Sequence, residues 1–279
     1  MQKFTKLAIF AVSLMTSTSA WANHPVFVEG NCVVPPAGSP AAPVGNCGDF
    51  DGDGKIGFAE DNDGDRVFGT IMGALGDSGG TGVNQNGQVT IVTSGVFVGP
   101  VFITAANGNV TLQAAPGVEA VIDAVLQGDP QSTARQGRPG ITVQAPGNRR
   151  VVIRNLTVRN WTTGIRVGDG SRVAIESVRV ENNINYGIEV GGRAKVKVDQ
   201  SQVIATGFRN SPAGDFPSSE NQPAPGNGIE YSGNSTGAVF RTEVSGSFGA
   251  GISDQSGGEV TLRDVFLFDN NPNTTGFGQ

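Results

Sequence analysis

The tetrapeptide Gly164-Ile165-Arg166-Val167 is followed further along the chain by the similar tetrapeptide Gly187-Ile188-Glu189-Val190. A Gly-Ile pair opens five successive segments of the chain, which begin at Gly140, Gly164, Gly187, Gly228 and Gly251. Three of the four intervals between these glycines are nearly equal, and the interval from Gly187 to Gly228 equals one such unit plus an insertion. A fixed period of about 23 residues indicates a repeat architecture in which each unit stacks on its neighbours.

Within each unit, apolar residues recur at i and i+2, the spacing of strands with one buried face. The inward positions of two consecutive units match pairwise, with Ser201 as the one polar substitute: Ile165, Val167, Val173, Ile175, Val178 and Val180 in one unit, and Ile188, Val190, Val196, Val198, Ser201 and Val203 in the next. Three short strands per repeat of this length describe one turn of a parallel β-helix. A leucine-rich repeat has a similar period, but its Leu-rich and Asn/Cys signature is missing.

Outward polar residues of such a fold stack in columns, because neighbouring coils lie about 4.8 Å apart. We expect Arg154, Glu176 and Asp199 to share one column and to neutralise each other in part. Asn183 and Asn270 fall at matching turns, where their side-chain amides can stack.

Both ends of the repeat carry signals that stop it. Five upstream residues form an apolar stripe that predicts one helix covering the first coil: Val67, Phe68, Ile71, Met72 and Leu75. Pro272 and a polar tail, residues 274–279, end the repeat. The sequence thus predicts an all-β protein, a parallel β-helix of about seven coils with an N-terminal capping helix, over residues 66–273.

The opening of this region resembles the pectin-lyase-like superfamily of right-handed parallel β-helices. The resemblance rests on Thr70-Ile71-Met72-Gly73-Ala74-Leu75 and on Gln88-Val89-Thr90-Ile91, and the Gly-Ile repeats extend it to Asp269. It implies a right-handed β-helix. It does not imply one activity, because lyases, hydrolases, esterases, epimerases, adhesins and non-enzymes share these coils.

No catalytic set of that superfamily is recognisable. The one histidine, His24, lies near the N-terminus, which excludes Ser-His-Asp and Cys-His catalysis and multi-His metal sites. Asp199-Gln200 reverses the Gln-Asp order of pectin methylesterases. Outward acids such as Glu176, Glu181 and Glu189 match no motif, so we predict no catalytic residue. The net charge of -6 and the pI near 4.8 argue against a nucleic-acid partner.

Residues 1–22 have the features of a secretory signal: Lys3 and Lys6, an apolar core, and Ala20-Trp21-Ala22 as a cleavage pattern. The alternative is an interfacial helix that stays attached. No later segment is apolar enough to cross a membrane, which predicts a secreted or periplasmic protein. Cys32 and Cys47 lie in the Pro/Gly-rich segment 23–48, and export favours a disulfide between them over two free thiols.

Residues 49–60 fit the twelve-residue EF-hand loop, and we predict calcium there. The ligands would be the side chains of Asp49, Asp51, Asp53 and Glu60 and the backbone carbonyl of Lys55. Pro and Gly in the preceding segment exclude the first EF-hand helix, so the unit resembles dockerin-like aspartate-rich motifs. The alternative is an acidic, solvated loop.

A second acidic run, ending at residue 65, supplies possible ligands to a second metal ion: Asp61, Asp63 and Asp65. Arg66 stands where the turn glycine belongs, and Met72 stands where the bidentate glutamate belongs. These acids could instead support the first ion.

Two long insertions, residues 124–139 and 208–227, each precede a Gly-Ile pair and so emerge from the same side of the β-helix. The predicted floor between them carries four candidate ligand-binding residues: Trp161, Tyr186, Phe208 and Arg209. We therefore expect a polysaccharide or surface glycan to bind along this side. The alternatives are a calcium-assisted lyase acting on uronic-acid polymers and a passive surface or adhesion module. The aromatic residues could also simply cover coil edges.

Overall fold

The computed structural model describes residues 26–29, 67–76, 87–124, 138–168, 170–207 and 226–277. Two groups of predicted sites therefore lie outside the described residues: the signal, the cysteines and both calcium loops near the N-terminus, and Phe208 and Arg209 in the second insertion. Within the described ranges, 23 strands form three sheets in which neighbouring strands run parallel.

Sheet A contains nine strands, in the spatial order β2 Val67–Phe68, β1 Val26–Val28, β3 Gln88–Ile91, β6 Val110–Ala114, β9 Arg150–Arg154, β12 Arg172–Glu176, β15 Lys195–Asp199, β18 Thr236–Phe240 and β21 Val260–Arg263. Sheet B contains seven: β4 Gly95–Val98, β7 Ala120–Asp123, β10 Thr157–Arg159, β13 Arg179–Glu181, β16 Gln202–Ile204, β19 Glu243–Ser245 and β22 Phe266–Phe268. Sheet C contains seven: β5 Val101–Thr104, β8 Pro139–Gln144, β11 Thr163–Val167, β14 Tyr186–Val190, β17 Asn227–Gly233, β20 Ile252–Ser256 and β23 Thr274–Thr275.

The chain visits the sheets in the fixed order A, B, C, and the described residues complete seven such circuits from β3 to β23. The predicted parallel β-helix of about seven coils is therefore confirmed. The predicted inward positions are confirmed as well: Ile165, Ile188, Ile229 and Ile252 are register partners on successive strands of sheet C, and all four are fully buried. The described residues contain no helix that is long and apolar enough to cross a membrane.

The corner between sheets A and B is short, and its first residue has a positive φ in each of five successive coils: Asn155, Ser177, Gln200, Arg241 and Asp264, with φ between 44° and 57°. The second corner residue points inward. At Ser201 this residue is polar, and its hydroxyl donates to the Asp199 carbonyl oxygen at 2.9 Å and accepts from the Val178 amide at 3.2 Å. The hydroxyl of this predicted polar substitute is thus satisfied by its own corner and by the corner of the preceding coil.

The Gly-Ile glycines are needed for close packing between coils. A Cβ atom at Gly164 would lie 2.6 Å from the Gly187 carbonyl oxygen of the next coil and 2.6 Å from Val180 Cγ1 of sheet B. Real Cβ atoms essentially never make contacts below 3.0 Å. A side chain at this position would therefore push neighbouring coils apart.

The predicted cap is correct in place but too long. The helix α1 spans only Ile71–Leu75, where the Thr70 hydroxyl caps the Gly73 amide at 3.0 Å, and it packs on β1, β2, β3 and β5 at the end of the first coil. Val67–Phe68, predicted as helical, form β2 because they pair with Val26–Val28 at the edge of sheet A. Those three residues, assigned from sequence to the N-terminal segment, thus extend the sheet.

The C-terminal boundary also needs correction. Thr274–Thr275, predicted to belong to the tail, form β23 and pair with Ile252 and Ser253 of β20. The backbone continues the hydrogen-bond ladder of sheet C there although the side chains are exposed and polar.

The predicted charged column is confirmed in register but not in all of its contacts. Arg154, Glu176 and Asp199 occupy partner positions on β9, β12 and β15. Arg154 Nε nevertheless donates to Gln113 Oε1 at 2.6 Å, and Asp199 pairs with Lys197 and Arg241. The column is therefore part of a wider polar network on sheet A.

Candidate functional site

The first predicted ligand-binding residue, Trp161, lies in the core, so the prediction that its ring lines a groove is wrong. Its side chain is fully buried, and Nε1 donates to the Ile122 carbonyl oxygen at 3.1 Å. The backbone amide of Trp161 donates to Asn183 Oδ1 of the next coil at 3.0 Å. Trp161 is therefore a structural residue at the corner between sheets B and C.

Phe248 has the same offset from its Gly-Ile pair as Trp161, yet half of its surface is exposed. At this corner it is the amide of Ser247, and not that of Phe248, that donates to the asparagine of the next coil, Asn270 Oδ1, at 3.0 Å. Cβ atoms at Gly207 and Gly226 would lie 2.8 Å and 3.1 Å from Phe248 Cβ. Phe248 is thus an exposed aromatic residue beside the two ends of the second insertion.

The two insertions occupy equivalent places in the chain. The predicted insertion 124–139 follows β7 and leads to β8, and the predicted insertion 208–227 follows β16 and leads to β17, so both lead from sheet B into sheet C. In sheet C the strands β11 and β14 lie between β8 and β17. The two points of attachment are therefore three coil steps apart, as the sequence predicted.

A group of polar side chains lies on β11, β14 and β17 between these attachment points, and we call it the sheet C polar site: Thr163, Arg166, Tyr186, Glu189, Asn227 and Glu230. Arg166, Glu189 and Glu230 are register partners in one column, and Thr163, Tyr186 and Asn227 form a second column. Three adjacent coils therefore contribute one pair of side chains each.

Hydrogen bonds connect the members of the site. Arg166 Nε lies 2.8 Å from Glu189 Oε2, and this oxygen also lies 3.5 Å from Thr163 Oγ1. Asn227 Nδ2 donates to Glu230 Oε2 at 2.7 Å. The Arg166 side chain is 45% exposed and that of Glu189 is 23% exposed, whereas Asn227 and Glu230, on the next strand of the same sheet, are buried. A ligand would thus meet Arg166, Glu189 and the half-buried Tyr186 first.

Burial dominates the electrostatics of the site. It raises the pKa of Glu230, the negative charge of Glu189 raises it further, and the Asn227 hydrogen bond opposes both effects. Burial, followed by the charges of Glu230 and Glu189, raises the pKa of Tyr186 to about 12. Tyr186 is therefore a neutral hydrogen-bonding group at physiological pH, and Glu230 takes up a proton more readily than an ordinary glutamate.

Sequence reasoning identified Tyr186 as a member of a site, noted Glu189 only as an outward acid without a role, and missed Arg166, Asn227 and Glu230. A signal was present: the residue after each Gly-Ile pair occupies the outward column of sheet C, and it is Arg166, Glu189 or Glu230 in three consecutive coils. Within the described ranges, no three His, Cys, Asp or Glu residues converge as a metal site.

The family model described as "Right handed beta helix region" matches residues 139–278, half of the chain. The chain belongs to the right-handed β-helix family. The match covers β8 to β23, which includes five complete circuits and the three strands that carry the sheet C polar site. No curated protein and no solved structure matches the chain. The function of this right-handed β-helix protein must accordingly be argued from its own side chains.

Proposed function

We propose that this right-handed β-helix protein binds a glycan over the sheet C polar site. The observation that carries the proposal is the convergence of Arg166, Tyr186 and Glu189, from two adjacent coils, between the attachment points of the two insertions. Such side chains supply both charged and neutral hydrogen-bonding groups, which is what sugar hydroxyl and carboxylate groups require.

Two buried members of the site support this proposal. Asn227 and Glu230 are held by their mutual hydrogen bond, and Asn227 Oδ1 also accepts from the Ala250 amide at 2.8 Å. Neighbours fixed in this way help to keep the exposed groups in one arrangement and lower the entropic cost of binding. Phe248 adds an exposed aromatic face, on which an apolar sugar face can pack.

Affinity gel electrophoresis with a panel of neutral and acidic polysaccharides tests the proposal. R166Q/E189Q removes the exposed ion pair of the site. R179Q/E181Q removes a matched pair on sheet B, whose arginine is also 45% exposed and lies 2.6 Å from its glutamate. We expect the first variant to bind the retarding polymer about tenfold more weakly, since charge-assisted contacts are lost, and the second to bind normally.

Two outcomes would contradict glycan binding at sheet C. One is a wild-type protein that no polysaccharide in the panel retards, which leaves the passive surface or adhesion module. The other is an equal loss of retardation in R179Q/E181Q, which would show that the loss of any exposed ion pair has the same effect and that the site is not specific.

A second candidate function is cleavage of the bound glycan, and the raised pKa of Glu230 favours it. A carboxyl group that keeps its proton at higher pH can donate it to a leaving oxygen, while a nearby ionised carboxylate takes the opposite role. Glu189 is the neighbouring carboxylate, one coil away. E230Q would abolish product formation and leave gel retardation unchanged; a calcium-assisted lyase would instead release unsaturated uronates, detected by their ultraviolet absorbance.

The proposal also includes export and calcium. The sequence of residues 1–22 supports secretion or transfer to the periplasm, and the acidic loop at residues 49–60 supports one structural calcium ion. An oxidising compartment would also favour the disulfide between Cys32 and Cys47.

A further inference from the structure

Sheet A carries an exposed row of positive charges. Arg150, Arg172 and Lys195 are register partners on β9, β12 and β15, and all three side chains point to solvent. Lys197 lies further along β15, on the same face, and is exposed as well. Successive charges of the row are one coil step apart, about 4.8 Å.

This row borders a shallow groove of about 860 Å³ across the outer face of sheet A. The small side chains of Ala174 and Ala238 lie in the next outward column, on either side of Lys197, and line its floor. Glu259 lines the groove at its C-terminal end, separated from Lys195 by Thr236. The groove therefore runs across the coils, parallel to the axis of the β-helix, with one positive charge on each of three successive coils along its edge.

Nearby carboxylates do not neutralise the row. Asp199 is occupied by Lys197 and Arg241, at 2.8 Å and 2.6 Å, and Glu176 belongs to the far column of the sheet. In the described part of the chain, no ion pair involves Arg150, Arg172 or Lys195. Like charges directly opposite on adjacent strands destabilise a sheet. An anionic ligand along the groove would remove that repulsion.

We propose that the sheet A groove binds a linear acidic polysaccharide whose chain runs along the β-helix axis. In such a polymer each uronic acid unit carries one carboxylate, and the length of a sugar unit is similar to one coil step. The row of Arg150, Arg172 and Lys195 can then meet one carboxylate per coil. Because the whole chain has a net charge of -6, attraction of an acidic polymer depends on local rows of positive charge such as this one.

Nucleic acid fits this groove less well. Duplex DNA carries one charge per about 1.7 Å of axis, far denser than one cation per coil. Single strands bind through rows of aromatic side chains. Among the described residues lining the groove, Phe240 is the one aromatic residue, and Lys197 Nζ already lies 5.4 Å from its ring centre.

The test compares two variants that remove equal charge. R172Q/K195Q neutralises the centre of the row, and R179Q/R263Q neutralises two exposed arginines outside the groove. Binding of polygalacturonate and of its neutral methyl ester is measured by calorimetry at several salt concentrations, with circular dichroism as the folding control. We expect R172Q/K195Q to bind polygalacturonate about tenfold more weakly and with a shallower salt dependence, while R179Q/R263Q and wild type bind it alike.

The proposal is overturned if R172Q/K195Q retains wild-type affinity, if wild type binds neither polymer, or if wild type binds the methyl ester as tightly as the acid. It is also overturned if oligo-dT or phosphatidylserine vesicles bind more tightly than polygalacturonate through the same two residues. The sheet C variant R166Q/E189Q separates this groove from the proposed glycan site, because it leaves the sheet A row intact.

Discussion

Arg241 binds Asp199 of the preceding coil through two nitrogen atoms, Nε at 2.9 Å from Oδ1 and Nη2 at 2.6 Å from Oδ2. Lys197 Nζ lies 2.8 Å from Oδ2 as well. The Arg241 hydrogen bonds contribute most to lowering the pKa of Asp199 to about 2, against the opposing effect of burial. This contact joins two coils across the corner where Arg241 itself has a positive φ of 44°.

Asp199→Asn should lower the melting temperature at neutral pH, and it should weaken the fall of the melting temperature as the pH is lowered. The folded-state pKa of Asp199 is lower than its ordinary value of 3.8, so its stabilising contribution is present above pH 3.8 and is lost as the pH falls towards about 2. Calorimetric melting curves across this range measure the effect. Asp264→Asn is the control, because its side chain is 63% exposed and its arginine is 3.4 Å away. An acid dependence identical in wild type and Asp199→Asn would refute the linkage.

Gly164→Ala should destabilise the protein by about 1–3 kcal/mol, because the added carbon overpacks the contact with the next coil. The nearest atoms would be only 2.6 Å away. Gly168→Ala is the matched control, since no heavy atom lies within 4 Å of the added carbon there. Urea unfolding of both variants measures the difference. Equal stabilities of the two variants would show that the coils can separate without cost.

Trp161→Ala should cost about 3–5 kcal/mol, since it empties a fully buried site. Trp161→Phe keeps an aromatic ring but leaves the Ile122 carbonyl oxygen without its 3.1 Å donor, and it should cost about 1–3 kcal/mol. Denaturant unfolding gives both values. If Trp161→Ala reduced glycan binding while stability stayed at the wild-type value, the assignment of Trp161 to the core would be contradicted.

Removal of calcium should lower the melting temperature by about 5–10 °C. A ligand at one hundred times its Kd adds about 2.7 kcal/mol to the free energy of unfolding. Each kcal/mol shifts the melting temperature of a protein of this size by about 2–4 °C. Without the ion, the four carboxylates of the predicted loop repel one another. Thermal melting with chelator, with calcium restored, and in the D51A/E60Q variant measures the effect. A wild-type melting temperature that does not respond to chelator would exclude a structural ion.

The sequence allowed the coils to be predicted because each repeats the same local pattern, so Ile165, Ile188 and Ile229 could be aligned without knowledge of pairing. Val67 and Phe68 were misassigned because a short apolar run fits a helix or a strand, and only pairing with Val26–Val28 decides between them. The repeat pattern predicts whether a side chain points into or out of the β-helix, but it does not predict the backbone conformation of each corner.

That limit explains the errors at the site. Trp161 and Phe248 share an offset from Gly-Ile, but the corners before them place different residues against the next coil, so one side chain is buried and the other is exposed. Glu230 was missed because the second insertion separates it in sequence from Glu189, its partner in space.

Under the proposed glycan binding, the three coil steps between β8 and β17 would set the length of glycan that fits between the two insertions. Each coil contacts mainly its neighbours, so gain or loss of one repeat unit between the insertions would change their separation by one fixed increment and leave both anchor points intact. Duplication or deletion of single repeat units would in this way select longer or shorter sugar chains, while the remaining coils keep their structure.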